Sequence, residues 1–293
     1  MELLIQNISK TYANGVRALK GVSLTIPTGM FGLLGPNGSG KTTLMRSIAT
    51  LQEVDHGSIH LNGLDVLRQK EDVRRVLGYL PQEFGLYPSV TALQLLSHLA
   101  FLKGITQRRE RFETVASILR QTNLWDARNR KLGTFSGGMK QRFGVAQALL
   151  GNPELIIVDE PTAGLDPEER SRFLNLLSEI GENVVVILST HIVEDVSELC
   201  TNMAIIEEGK VRYTGRPQPA IDTIRGKTWR TVITRTQLAE YEQKYEIISK
   251  RLAAGKTILH VLSPERPDPS FEPVQPDLRD VYFSILSSSE QEA

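Results

Sequence analysis

Gly35-Pro36-Asn37-Gly38-Ser39-Gly40-Lys41-Thr42 meets every fixed position of the phosphate-binding pattern G-x-x-x-x-G-K-[ST]. Just upstream, Val22-Ser23-Leu24-Thr25-Ile26 alternates as a strand does, and Phe31-Gly32-Leu33-Leu34 is a short apolar run that reads as a buried strand. Downstream, residues 43–49 read as a helix opening at Thr43. Strand, glycine-rich loop and helix together are the setting the pattern requires. The glycines let backbone N–H groups turn inward around phosphates, and the helix N-terminus adds partial positive charge. Lys41 then reaches the outer phosphate oxygens, and Thr42 offers a hydroxyl to Mg2+.

The totals narrow the remaining classes. With 293 residues there is room for one substantial core and a small second domain. Lysine plus arginine and aspartate plus glutamate balance at 34 each, so nothing global argues for a nucleic-acid surface, and no nucleic-acid partner is expected. The single cysteine, Cys200, excludes an internal disulfide. The longest apolar runs, at 155–158 and 184–188, are far too short to cross a bilayer, and Met1-Glu2-Leu3-Leu4-Ile5 does not read as a secretory signal. A soluble chain is expected, reaching a membrane only through a partner.

Outward from the loop, turn signals at Asn14-Gly15 and residues 27–29 separate short strands, and residues 56–63 read as tight antiparallel turns. His56 and His60 lack the further ligands a metal site needs. A strand over 76–80 ends at Pro81-Gln82, which places Gln82 at a strand end facing a ligand. Residues 91–120 turn helical, with Leu95, Leu99 and Leu102 at helical spacing and a break at Gly104. Ser136 is a natural N-cap, and Gly137 and Gly138 leave the first helical turn open to an anion.

Leu155-Ile156-Ile157-Val158-Asp159-Glu160 describes a strand buried on both faces that delivers two carboxylates to the crevice where open α/β sheets bind ligands. Two adjacent acids there are costly unless a metal, a cation or a water network uses them. The strand over 184–188 brings His191 to the same kind of edge. Beyond residue 214 the composition shifts to Gly, Pro and small residues. Strands over 228–234 and 258–262, a helix over 238–252, a proline-rich loop and a final helix over 277–286 are expected there.

Together these motifs resemble the ATP-binding subunit of ABC transporters over residues 1 to 215. The matching residues are the phosphate loop 35–42, Gln82 of the Q-loop, the signature Ser136-Gly137-Gly138, the Walker B run ending at Asp159 with Glu160 beside it, Asp166 of the D-loop and the switch histidine His191. Tyr12 matches the aromatic that stacks on adenine. The resemblance implies an α/β P-loop NTPase of the ABC type over 1–215, with an antiparallel β subdomain and a helical subdomain near 88–150. A linker over 216–227 and a small α+β appendage over 228–293 complete the expected plan.

It further implies ATP and Mg2+ as cofactors, the metal held by Thr42, Gln82 and Asp159. Glu160 would act as base, His191 would contact the γ-phosphate, and Lys41 would stabilise the transferring group. The nucleotide would lie between the phosphate loop of one copy and residues 136–138 of the other, with Asp166 communicating across a homodimer or a heterodimer with a related ATPase. The partner is an integral-membrane permease docked near residues 83–102, which places the chain at the cytoplasmic face. The tail at 275–283 resembles that of drug-resistance or ABC-2-type exporters, so export leads over import. One departure stands out: the usual Leu-Ser-Gly-Gly-Gln reads Phe135-Ser136-Gly137-Gly138-Met139 here, which keeps a weakly hydrolysing regulatory module in view. An ABC-type ATPase acting on ribosomes or DNA finds no support, since there is no tandem site or basic tract.

Overall fold

The computed structural model describes residues 1–253 and 255–290. The chain divides into two compact units, Met1–Val211 and Arg212–Ala293. The first is built on a six-stranded sheet ordered β10-β9-β3-β8-β7-β6. Its strands are β3 (Gly29–Leu34), β6 (Leu77–Leu80), β7 (Leu155–Asp159), β8 (Val185–Thr190), β9 (Asn202–Glu207) and β10 (Lys210–Gly215). Every residue of β7 and β8 is buried, which is why both read as unbroken apolar runs.

Register then decides where the chemistry lies. β3 pairs in parallel with β8, and β8 with β7, so that Leu34 faces Thr190 and Asp159 faces Ser189. The residues that follow, Gly35, His191 and Glu160, therefore leave three adjacent strands at the same end.

A second sheet, ordered β2-β1-β4-β5, comprises β1 (Glu2–Thr11), β2 (Arg17–Pro27), β4 (His56–Leu61) and β5 (Leu64–Asp65). Its alternating inward residues Leu3, Ile5, Leu24, Ile26 and Ile59 share one core with Leu44, Met45 and Ile48 of α1 (Lys41–Ile48). Helices α2 (Lys70–Val76), α3 (Ala92–Leu102), α4 (Arg108–Gln121) and α5 (Gly137–Ala148) follow. A Thr91/Gln94 capping box starts α3. Leu96, Val115, Leu119, Phe135 and Phe143 fill a separate core among α3, α4 and α5. The Lys103 ammonium donates to Arg74 O at 2.9 Å and Leu77 O at 3.0 Å, tying the end of α3 to the strand entry after α2. The unit is completed by α6 (Pro167–Ile180) and α7 (Val193–Leu199).

The second unit carries α8 (Pro217–Ile224), β11 (Thr228–Ile233), α9 (Leu238–Lys244), β12 (Glu246–Ala253), β13 (Lys256–Leu262), β14 (Glu272–Pro273) and α10 (Leu278–Glu290). The strands form one sheet ordered β12-β13-β11-β14. Two expectations are corrected here. The stretch 216–227, expected as a linker, contains α8. Pro217 needs no N–H in the first turn, and Ala220 and Ile224 give the helix a buried face. The helix expected over 238–252 stops at Lys244, because residues 246–253 pair along β13 instead. Cross-strand pairing there outweighs the helical propensity of Lys250, Arg251 and Leu252. The proline-rich loop is anchored by fully buried Phe271, whose ring lies 5.0 Å from Tyr245 and 6.1 Å from Tyr241. Among the described residues no helix is long and apolar enough to cross a membrane.

Candidate nucleotide site

The loop between β3 and α1 is shaped by close approach. A Cβ at Gly35 would lie 2.2 Å from the Ile206 carbonyl, and one at Gly40 would lie 2.5 Å from the Ala18 carbonyl. Gly40 also takes φ 106°, a conformation that side-chain-bearing residues rarely adopt. The turn after β9 closes this junction: Gly209 N donates to Ser39 O at 2.9 Å, and Lys20 N donates to Gly209 O at 2.8 Å. No side chain caps α1 and its first turn holds no acid, so its leading N–H groups stay available to an anion.

Lys41 is buried, and its ammonium donates to Gly35 O at 2.7 Å and Pro36 O at 3.0 Å. Burial pushes its pKa below the usual lysine value, with the Glu160 and Asp159 carboxylates pulling the other way. Asp159 is held at the end of β7. Burial raises its pKa and the neighbouring Glu160 adds to this, against Ser189, Lys41 and Thr42, which favour the carboxylate.

The Thr42 hydroxyl stands 3.5 Å from Asp159 Oδ2, while the buried Oδ1 has no hydrogen-bond partner. The Ser189 hydroxyl is likewise buried and lacks a well-directed bond. The Asp159 carboxylate, with one oxygen facing the Thr42 hydroxyl and the other orphaned, makes with that hydroxyl a hard-oxygen donor set that fits Mg2+. Among the described residues no cluster of three or more His, Cys, Asp or Glu could hold a metal by itself.

Glu160 follows in a strained conformation. Its φ is +48°, its N–H donates to Ser189 O at 2.9 Å, and its Oε2 lies 2.8 Å from Nδ1 of His191. The carboxylate is nearly buried, whereas the imidazole is half exposed. Positive φ at a non-glycine residue costs on the order of 1–2 kcal/mol, and such strain persists where the surroundings impose it.

These groups border a cavity of about 850 Å3 lined by Tyr12, Asn37, Gly38, Gly40, Lys41, Thr42, Thr43, Gln82, Glu160 and His191. Tyr12 sits at the rim, its hydroxyl 3.1 Å from Thr43 Oγ1. Gly35, Pro36, Ser39 and Asp159 lie outside the lining set; the first two receive Lys41, and buried Ser39 accepts from Gly209. The cavity also includes residues that sequence reasoning missed: Gly15, Val16, Arg17, Ala18, Lys20 and Glu208. They come from the first hairpin and the β9–β10 turn. The only local signal for them is the pair of turn dipeptides Asn14-Gly15 and Glu208-Gly209.

Four expected residues are not brought to this cavity. Ser136 caps α5 by accepting from Met139 N at 3.2 Å, and Asp166 caps α6 by accepting from Glu169 N at 2.9 Å. Gly138 is buried against Glu169, and Gly137 borders a second cavity of about 380 Å3 with Phe84, Leu86, Pro88, Lys140 and Gln141. Gln82 is shared by both cavities. Met139 packs its side chain against the core of α3, α4 and α5. The loop between Glu160 and α6 is tied down elsewhere: Thr162 Oγ1 donates to Asp195 Oδ2 at 2.6 Å, and Arg170 Nε donates to Asp195 Oδ1 at 2.7 Å.

Fold and cavity define a P-loop nucleotide-binding protein. Residues 19–163 match the ABC transporter family. The linearmycin resistance ATP-binding protein LnrL of Bacillus subtilis is 35% identical over 77% of this chain and 73% of its own length. YbhF of Escherichia coli, a probable multidrug ABC transporter ATP-binding protein, is 31% identical over 88% of this chain, which spans only 47% of that relative. Among solved structures, the ATP-binding cassette MJ0796 in a dimeric post-hydrolysis state with ADP and Pi superposes with a TM-score of 0.66, covering 73% of this chain and 98% of that one at 28% identity. An ATP-binding subunit of an ABC transporter superposes at 0.68, covering 76% and 93% at 29% identity. The chain belongs to the ABC transporter family.

Proposed function

We propose that two copies, or one copy and a related ATPase, close head to tail on MgATP and hydrolyse it to drive export through a separate transmembrane permease. The observation that carries this reading is the Glu160–His191 contact of 2.8 Å at the rim of the cavity floored by the phosphate loop. A carboxylate held in an imposed backbone conformation and paired to an imidazole is arranged to orient water against a phosphoryl group.

Tyr12 stacks the adenine, leaving its hydroxyl with Thr43. Lys41 and the loop amides from 35 to 43 meet the phosphate oxygens. For Lys41 this means exchanging two carbonyl partners for a polyanion, a trade favoured by its buried setting. Thr42 and Asp159 hold the ion, with Gln82 reaching toward it. Bound Mg2+ supplies charge neutralisation on the phosphates. Glu160 accepts the proton of the attacking water, and His191 holds the geometry. Residues 136–138, which face away from their own chain's cavity, serve the nucleotide of the other copy, with Asp166 alongside. The dimeric state of the MJ0796 cassette supports the two-copy reading.

Gln82, shared between the two cavities, links the site to the permease socket around residues 83–102. On this reading the chain works at the cytoplasmic face of the membrane, bound through the permease. The resistance and multidrug names of LnrL and YbhF favour export over import. The test is a detergent-solubilised pull-down of the native protein, with MgATP turnover measured for the wild type and Glu160→Gln. A multi-span permease in the eluate and turnover lost in the variant are expected. Ribosomal or purely soluble partners would remove the transport reading, and unchanged turnover would remove Glu160 from its role.

A further inference from the structure

The glycine-bearing first turn of α5 rests on the start of α6. A Cβ built on Gly138 would lie 2.0 Å from Glu169 Oε2 and 2.6 Å from its Cδ, so the carboxylate sits directly against the backbone of Gly138. The same oxygen accepts from Arg142 on α5, and both side chains are largely buried, at 11% and 19% exposed. Arg172 Nη1 donates to the other carboxylate oxygen at 3.4 Å. The backbone N–H of Glu169 donates to Asp166 Oδ1 at 2.9 Å. One residue earlier in that turn, a Cβ on Gly137 would meet Leu165 Cδ2 at 4.0 Å. Segments 136–138 and 165–169, which neither line the cavity nor neighbour each other in sequence, are thus joined through one side chain.

We propose that Glu169 is a positioning residue that fixes the N-terminal turn of α5, residues 136–138, against the 165–169 segment, so that both meet a second copy of this chain as one preformed surface. The inference rests on the two-copy reading above. Two glycines in the first turn of a helix hold that turn less firmly than other residues would, and bracing it before the partner arrives removes part of the entropic cost of docking. Glu169 supplies the brace in two ways: by contact with Gly138, and by a charge-assisted bond that locks it to Arg142 on the same helix. The nucleotide cavity of its own chain contains none of these groups, so binding in the monomer and closure of the dimer separate experimentally.

The experiment uses the full chain in a Glu160→Gln background, which slows turnover, and adds Glu169→Ala, Glu169→Gln or Glu169→Asp. ATP binding to the monomer is followed with a fluorescent ATP analogue, and ATP-driven dimerisation by sedimentation. Monomer binding is expected to stay within about twofold for all three, while Glu169→Ala raises the dimer dissociation constant about tenfold, the size of a lost charge-assisted hydrogen bond. Glutamine keeps the reach to Gly138 and an acceptor for Arg142 but not the charge, so it is expected to dimerise within about threefold of the parent. Aspartate keeps the charge but is one methylene short, so it is expected to fail like alanine. If Glu169→Ala does not fold, the order of Gln and Asp decides. Dimerisation of Glu169→Ala at the parent's concentration would overturn the inference, as would Asp closing normally while Gln does not. A parent that never dimerises with ATP would overturn the two-copy reading, and this inference with it.

Discussion

Glycine and alanine at position 160 give opposite signs according to whether the backbone strain of Glu160 is real. At an ordinary helix or strand position glycine is less stable than alanine by about 0.5–1 kcal/mol, because its unfolded chain has more freedom to lose. Glu160, however, is held at φ +48° by the bond from its N–H to Ser189 O and by buried Pro161 and Thr162, which follow. A residue with a Cβ pays on the order of 1–2 kcal/mol there, and glycine does not. Both substitutions lose the His191 contact equally, so that loss cancels between them. Net, Glu160→Gly should be more stable than Glu160→Ala by about 1 kcal/mol, or about 2–4 °C for a unit of this size. Urea unfolding without nucleotide measures this, with Trp229→Phe introduced so that Trp125 alone reports on the first unit. Alanine equal to or more stable than glycine would refute the claim that the surroundings impose strain at Glu160.

Other outcomes follow from the same geometry. Because burial holds the folded pKa of Asp159 above the ordinary aspartate value of 3.8, ionising it is harder in the native state. The wild type should therefore lose stability as pH rises from 3.8 through the raised folded value, and Asp159→Asn should flatten that slope in urea midpoints while lowering MgATP turnover about a hundredfold or more. Tyr12→Ala should weaken ATP binding about tenfold by isothermal titration, and Tyr12→Phe, which keeps the ring and loses only the Thr43 contact, should remain within about threefold. Asp195→Asn strips the charge that Arg170 and Thr162 share in a fully buried position, and should cost about 3 kcal/mol in urea unfolding; Thr162→Val should cost less.

What could be read from the sequence is what local pattern dictates. The phosphate loop, the buried runs of β7 and β8, and the acids and histidine at their ends are contiguous signals, and parallel pairing does the rest. The wall made by Val16, Arg17, Lys20 and Glu208 was illegible because sheet packing, not sequence proximity, brings those two turns to the loop. Its evidence is the bond between Gly209 and Ser39, residues 170 positions apart. The helix α2 and the strand β12 were missed for a related reason. The first is short and weakly apolar, with only Val73 buried, and the second takes its form from β13. Met139, which stands out in the sequence for the amide it lacks, uses its side chain as packing for the helical core.

The backbone ladder across β3, β8 and β7 also bears on how this cassette can be altered. Its register is fixed by main-chain bonds and buried aliphatic side chains, so the strand ends at Leu34, Asp159 and Thr190 stay in place whatever the loops beyond Gly35 carry. Laboratory selection can therefore treat the three loops as replaceable inserts on a rigid frame. A library confined to residues 36–39, 160–164 and 191–192 would explore new substrates without spending variants on refolding the core.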